Sequence, residues 1–281
     1  LPELPEVETV RKGLLHLVQD KRINEVIVRW PKIVEVPTID EFCQNLIGER
    51  IETVQRRGKF LLFKLTHFDL ISHLRMEGKY EYFPEEELSP IDKHTHVIFK
   101  FTDGSQLHYN DVRKFGRMVL VGKNQGFLYK GIQQLGPEPT REDFDLTKFI
   151  TNLQKSTSLI KPLLLNQKVV VGLGNIYTDE ALWTAKIHPQ QPASTLTHRQ
   201  ITKLHQSIIE ILAKAVNAGG TTVRSYKNAL GEAGAFQMGL NVYGKMNEPC
   251  PRCETPIVKI KVGQRGTHFC PYCQKLRRKV S

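Results

Sequence analysis

The segment LPEVETVRKGLLHLV places Val7, Val10, Leu14, Leu15 and Val18 at the three-to-four spacing of one helix face. Pro5 suits a first helical position, and Glu6 and Glu8 suit a first turn, where the helix dipole favours anions. The spacing therefore predicts a helix that starts only a few residues into the chain. From about Arg22 to Gly122 the period shortens. RINEVIVRW, KFLLFKL, DLISHLRM, KYEYF, HVIFKF, QLHY and GRMVLVG are short runs rich in Val, Ile, Leu, Phe and Tyr. Phe101-Thr102-Asp103-Gly104-Ser105 sets an Asp-Gly turn between two of them. This texture predicts antiparallel β structure, as a two-layer sandwich or barrel.

Leu135-Gly136-Pro137-Glu138-Pro139 has the composition of a linker, and helical patterning follows it. Thr197-His198-Arg199-Gln200 resembles a capping box. It leads into Ile201, Leu204, Ile208, Ile211, Leu212 and Ala215, with Gly219 and Gly220 as a stop. The stretch 221–240 carries several glycines and little periodicity, and is expected to be a mobile loop. There is no internal repeat and no low-complexity tract.

The chain has 281 residues, enough for two domains and a sizeable core. No apolar run approaches the roughly 18 residues that a membrane span requires, and no secretory signal is visible. The expected compartment is the cytosol. Charge changes this picture more than composition does. Net charge is +11, and from Lys245 onward nine Lys or Arg face only Glu248 and Glu254. Such an excess points to a polyanionic partner.

Of the five cysteines, Cys43 stands alone in a helical pattern and is expected to act as a small buried hydrophobe. The others form Cys250-Pro-Arg-Cys253 and Cys270-Pro-Tyr-Cys273, 16 residues apart. A double C-x2-C at this spacing is a zinc signature, and four thiolates make a closed structural site. Two disulfides are the alternative, and they suit a cytosolic chain poorly. TPIVKIKV and GTHFC read as a hairpin carrying one metal ion, with Arg265 near its turn among Lys259, Lys261, Arg277, Arg278 and Lys279. A zinc-held basic hairpin suits contact with a phosphate backbone.

The zinc hairpin, the basic charge and the opening PELPEVE together resemble the bacterial formamidopyrimidine-DNA glycosylases (Fpg). The resemblance runs from Pro2 to the last cysteine through PELPEVETV, RRGKF, HLRMEGKY, DKHTHV, DVRKFG, LGPEP, IKPLLL, VVGLGNIYTDEALW, IHP, VYGK and RGTHFC. Leu4 stands where the related endonuclease VIII carries glycine, which favours the purine-repair branch. The resemblance implies an α+β multidomain chain. An antiparallel β-sandwich catalytic domain would span 1–134. A helical domain with a helix–two-turn–helix motif and a lesion-recognition loop would span 135–244, and a zinc finger 245–281. It implies a monomer that excises 8-oxoguanine and formamidopyrimidines from damaged double-stranded DNA and cuts the abasic strand by β,δ-elimination. A glycosylase for oxidised pyrimidines and a non-catalytic binder of damaged DNA are the alternatives.

Lyase chemistry needs a neutral amine. A lysine with a pKa of about 10.4 is neutral about 0.1% of the time near pH 7.5, whereas an α-amine near 7.8 is neutral roughly a third of the time. The resemblance makes Pro2 that nucleophile and Glu3 the general acid–base, with Glu6 a weaker candidate. Glu8 is expected only to complement the dipole and aid solubility. Lys59 and Arg265 match residues tied to the phosphates and to elimination. Asn175 matches a phosphate-binding asparagine, and GLGNIY is no dinucleotide fingerprint because Tyr177 stands where glycine is needed. Met76, Arg113 and Phe115 match the wedge that fills the gap left by an extruded base. His94 and Lys155 match DNA-contacting positions. Glu77 and residues 221–238 are expected around the extruded base. Leu1 ahead of Pro2 would make the proline nitrogen an unreactive amide, so Leu1 is expected to be a start codon read literally, with the true first residue Met and trimmed.

Overall fold

The computed structural model describes residues 2–88, 90–221 and 239–277. It separates into two compact units, Leu1–Gln134 with Ala218–Ala235, and Leu135–Asn217 with Phe236–Ser281. Among the described residues, no helix is long and apolar enough to cross a membrane.

The first unit opens with α1 (Leu4–Val18), which buries Val7, Val10, Leu14 and Val18, four of the five positions that the spacing marks. Strands follow in the order β1 (Ile23–Val28), β2 (Val34–Val36), then helix α2 (Ile39–Leu46), β3 (Ile51–Arg57), β4 (Phe60–Leu65), β5 (Phe68–His73), β6 (Lys79–Phe83), β7 (Thr95–Phe101), β8 (Gln106–Asn110) and β9 (Arg117–Gly122), with a short α3 (Lys130–Gln133) behind them. They make a four-stranded sheet β1-β7-β8-β6 and a five-stranded sheet β2-β9-β5-β4-β3. All pairings are antiparallel except that of the short edge strand β2 with β9. Val97, Phe99 and Phe101 of β7 alternate into the same core as Val54, Phe63, Leu70, Met118 and Leu120 from the other sheet. That period of two is the sandwich signature. The Asp103-Gly104 turn joins β7 to β8, with the Asp103 carboxylate accepting the Ser105 N–H at 3.1 Å. Cys43 lies half-buried on α2 against the core.

The second unit carries α4 (Leu146–Gln154), α5 (Ile160–Leu165), α6 (Asn175–Ala185) and α7 (His198–Asn217), then the hairpin β10 (Val258–Val262) and β11 (Arg265–Phe269). The capping box of α7 forms as expected: Thr197 N–H donates to Gln200 Oε1 at 3.0 Å, and Gln200 N–H donates to Thr197 Oγ1 at 3.3 Å. Nine of the eleven residues of α6 are buried, polar ones included. A helix covered on all sides has no amphipathic stripe, so its charged residues must find partners inside the unit.

Candidate active site and metal centre

Pro2 and Glu3 are both buried ahead of α1. Glu3 is the N-cap of that helix and closes a reciprocal capping box with Glu6. Glu6 Oε2 accepts the Glu3 N–H at 2.9 Å, while Oε1 accepts the Thr221 N–H at 2.8 Å and its hydroxyl at 3.0 Å. One buried carboxylate thus fixes the backbone of Glu3 and a segment more than two hundred residues downstream. Glu8 departs from its expected role as a solvated helix-end charge. It accepts bonds from Arg11 at 2.8 Å and from Arg56 at 2.9 Å, and its side chain is mostly covered. Burial pushes its carboxyl up, but the bonds and charges of Arg11 and Arg56 outweigh this and leave it below the usual range.

Lys59 lies in the two-residue turn between β3 and β4, beside Gly58 at φ +56°. That left-handed turn is open to glycine at little cost. Its neighbour His73 pairs with Phe60 across β4 and β5 and meets that ring edge-on at 4.6 Å. Burial, with the nearby charges of Arg75 and Lys59, pushes the His73 imidazole down to about 3. His73 Nδ1 accepts the Arg75 N–H at 3.0 Å. The ring is therefore neutral near pH 7 with its proton on Nε2.

Two loops carry the expected wedge, and Tyr109 on β8 lies beneath both. Met76 precedes Gly78 in one loop, and Arg113 and Phe115 precede Gly116 in the other. A Cβ on either glycine would fall well inside contact distance of the Tyr109 hydroxyl. The second loop is organised by Asp111, a buried residue that the sequence reading passed over. Its carboxylate accepts the N–H groups of Arg113, Phe115 and Gly116 at 3.0, 2.8 and 2.7 Å. Lys114 takes φ +58° and sets its ammonium 4.1 Å from the centre of the Trp30 ring. The Arg113 guanidinium lies over the Phe115 ring at 4.7 Å, and Phe115 is 44% exposed. The His94 carbonyl accepts the Asp111 N–H at 3.0 Å, which sets His94 beside this loop. Met76 and Glu77 are half-buried. Residues 222–238, expected around an extruded base, lie outside the described residues.

In the second unit, Asn175 opens α6, and its Nδ2 donates to the Gly266 carbonyl at 2.9 Å. This brings Asn175 beside exposed Arg265, which starts β11. Lys161, fully buried, donates to Asp179 Oδ1 at 2.6 Å and to the Thr267 hydroxyl at 2.8 Å. Asp179 Oδ2 accepts the His268 N–H at 2.9 Å. The strand carrying Arg265 is thereby fastened to α5 and α6. Glu180, buried next to Asp179, accepts the N–H groups of Asn241, Val242 and Tyr243 at 2.8–3.0 Å. Lys155 is exposed at the C-cap of α4, apart from this cluster of bonds. Asp179 and Glu180 sit within IYTDEALW, where two adjacent acids in an otherwise apolar helix were the available signal.

Cys250, Cys253, Cys270 and Cys273 form no disulfide, and their four sulfurs lie within 4.8 Å of one another. Tetrahedral zinc with bonds of about 2.3 Å sets sulfurs about 3.8 Å apart, and the pairs of Cys253 with Cys270 and with Cys273 stand at 3.4 Å. Burial pushes the Cys270 thiol up to about 12 while hydrogen bonds, that of Thr255 foremost, pull the Cys253 thiol down to about 6; a bound cation would favour the thiolate form of all four. The donor set fits one structural zinc ion with no open position. Trp183 of α6 seals the site: its Nε1 donates to Cys250 Sγ at 3.4 Å, and the Arg252 guanidinium lies 3.9 Å from its ring centre.

These arrangements can be set beside known proteins. The formamidopyrimidine-DNA glycosylase N-terminal domain matches residues 1–118, the H2TH domain of the same enzymes matches 135–227, and the zinc finger found in FPG and IleRS matches 247–276. Formamidopyrimidine-DNA glycosylase of Enterococcus faecalis is 63% identical over 277 residues, covering 99% of this chain and 98% of its own. A mutant Lactococcus lactis FPG in complex with Fapy-dG containing DNA is 48% identical, with a TM-score of 0.93, covering 98% of this chain and 100% of its own. MutM in complex with carbocyclic 8-oxo-G containing DNA is 48% identical, with a TM-score of 0.91 and the same coverage. With the N-terminal domain, the helical segment and the four-cysteine hairpin all matched along one chain, this protein belongs to the formamidopyrimidine-DNA glycosylase family.

Proposed function

We propose that this chain is a base-excision repair enzyme that removes oxidised purines, 8-oxoguanine and formamidopyrimidines, from duplex DNA and then cleaves the abasic strand. The observation that carries this reading is the N-terminal corner. There Pro2 and Glu3 are buried together at the positive end of α1, and Glu6 holds the Glu3 backbone. The nitrogen of Pro2, as a free secondary amine, attacks C1′ of the damaged nucleotide. The bond from C1′ to the base nitrogen breaks, and the base leaves with its electron pair. Glu3 takes the proton that the attacking amine loses and delivers it to the ring oxygen as the C1′–O bond breaks and the sugar opens to an iminium. Loss of the 3′ phosphate by β-elimination and of the 5′ phosphate by δ-elimination follows. The helix dipole lowers the amine pKa and keeps more of it neutral.

Lys59 and Arg265 sit at the turns of two separate hairpins and bind the phosphates beside the lesion, with Arg265 serving δ-elimination. Asn175 and the N-terminus of α6 bind a further phosphate, and His94 and Lys155 add backbone contacts. Met76 and Phe115 enter the stack where the base has left, and Arg113 bonds to the orphaned cytosine. Zinc held by the four cysteines would supply a structural cross-link that keeps the Arg265 hairpin folded. The enzyme works on nucleoid DNA in the bacterial cytoplasm, as the bacterial origin of the relatives supports. Catalysis requires that Pro2 be the first residue of the active form. Single-turnover release tests the substrate class. An 8-oxoguanine duplex is expected to react roughly tenfold or more faster than a thymine-glycol duplex; the reverse order would overturn the oxidised-purine assignment.

A further inference from the structure

Glu8 and Arg56 belong to none of the groups given a chemical task above, yet they form a nearly closed ion-paired cluster. Glu8 stands on the second turn of α1, the helix whose N-terminus carries Pro2 and Glu3. Its carboxylate takes Arg11 Nε and Nη2 at 3.0 and 2.8 Å and Arg56 Nε at 2.9 Å. Arg56 is at the end of β3, and its Nη1 donates to the Gly58 carbonyl at 2.8 Å. Gly58 is the residue before Lys59, in the left-handed conformation that shapes the turn. Arg11 adds a bond to the Val54 carbonyl of the same strand at 3.1 Å. The Glu8 and Arg56 side chains are each only 15% exposed, so the pair is shielded from water and salt in a way that ordinary surface pairs are not.

We propose that Glu8 and Arg56 are positioning residues that brace the Lys59 turn against α1 and so fix Lys59 relative to the Pro2 amine. The guanidinium is the required part. Its planar fork satisfies a carboxylate on the helix and a carbonyl on the turn at once, which an ammonium cannot do with the same rigidity. One rigid helix then sets the nucleophile at its tip and a phosphate-binding cation through its flank. The proposal rests on the role given to Lys59 above.

The test is a double-mutant cycle on single-turnover excision from an 8-oxoguanine duplex, with thermal unfolding followed for each variant. Arg56→Ala is expected to slow excision about tenfold when Lys59 is present, because small displacements of a positioned group are costly. In the Lys59→Ala background it is expected to add nothing further. Glu8→Gln keeps the volume and an acceptor but removes the charge. It should give a smaller loss with the same dependence on Lys59, and it replaces Arg56→Ala in the cycle if that variant shows no folding transition. An equal loss in both backgrounds, or full activity of Arg56→Ala when Lys59→Ala is impaired, would overturn the brace alone. Full activity of Lys59→Ala would instead remove the role given to Lys59, and the brace with it.

Discussion

His73 shows how a single ring can be kept in one protonation state beside two cations. Burial strips water from the charged ring, and the charges of Arg75 and Lys59 add to that cost, so the neutral form is held down to about pH 3. A histidine whose folded pKa lies below its ordinary value of about 6.5 stabilises the fold above that pH. The contribution is lost as pH falls from about 6.5 toward about 3. The ring is therefore expected to show no titration between pH 8 and 5 when its carbon-bound protons are followed by NMR. A midpoint near 6.5 would contradict the packing described. At this scale Pro2, Glu3, Lys59, Asn175 and Arg265 were legible from motif position only as candidates, with the roles proposed above. Asp111, Glu180 and the true surroundings of Glu8 were not. A buried carboxylate that collects backbone N–H groups leaves no periodic trace, and its partners can lie dozens of residues away.

At the scale of elements, the strongest signals were the local ones. The 3.6-residue period of α1, the capping box of α7 and the paired cysteines each depend on residues a few positions apart, and each appeared where expected. Contacts between elements were illegible, and they are what fasten the Arg265 hairpin. Lys161 reaches Thr267 across 106 positions, and Asn175 reaches Gly266 across 91. The hairpin core against α6 is small, made largely of Trp183, Val242, Ile257 and the cysteines. Such a core does not hold without its ion. Stripping zinc with a chelator, or Cys250→Ser, is therefore expected to abolish tight duplex binding and lower the protection of residues 245–277 in hydrogen exchange. The sandwich strands should be unaffected. A metal-free protein that binds duplex DNA normally would show that the cluster has no structural role. Because the ligands must be thiolates, zinc retention should also weaken as pH falls.

For the whole molecule, the chemistry proposed above sits at a small acidic corner of a basic chain. The net charge of +11 suits capture of a duplex, while Glu3 and Glu6 are buried and held by backbone bonds rather than spread over the surface. In the proposed reaction, attack on the sugar depends on the N-terminal nitrogen, whereas capture of the duplex does not. The most direct measurement is borohydride trapping of the chain beginning at Pro2 on an 8-oxoguanine duplex, followed by mass mapping of the cross-linked peptide. The expected result is a covalent adduct on the nitrogen of Pro2, and none from a chain that retains a residue ahead of it. An adduct on Lys59 or another lysine, or no adduct from the chain with Pro2 free, would contradict the assignment of the nucleophile.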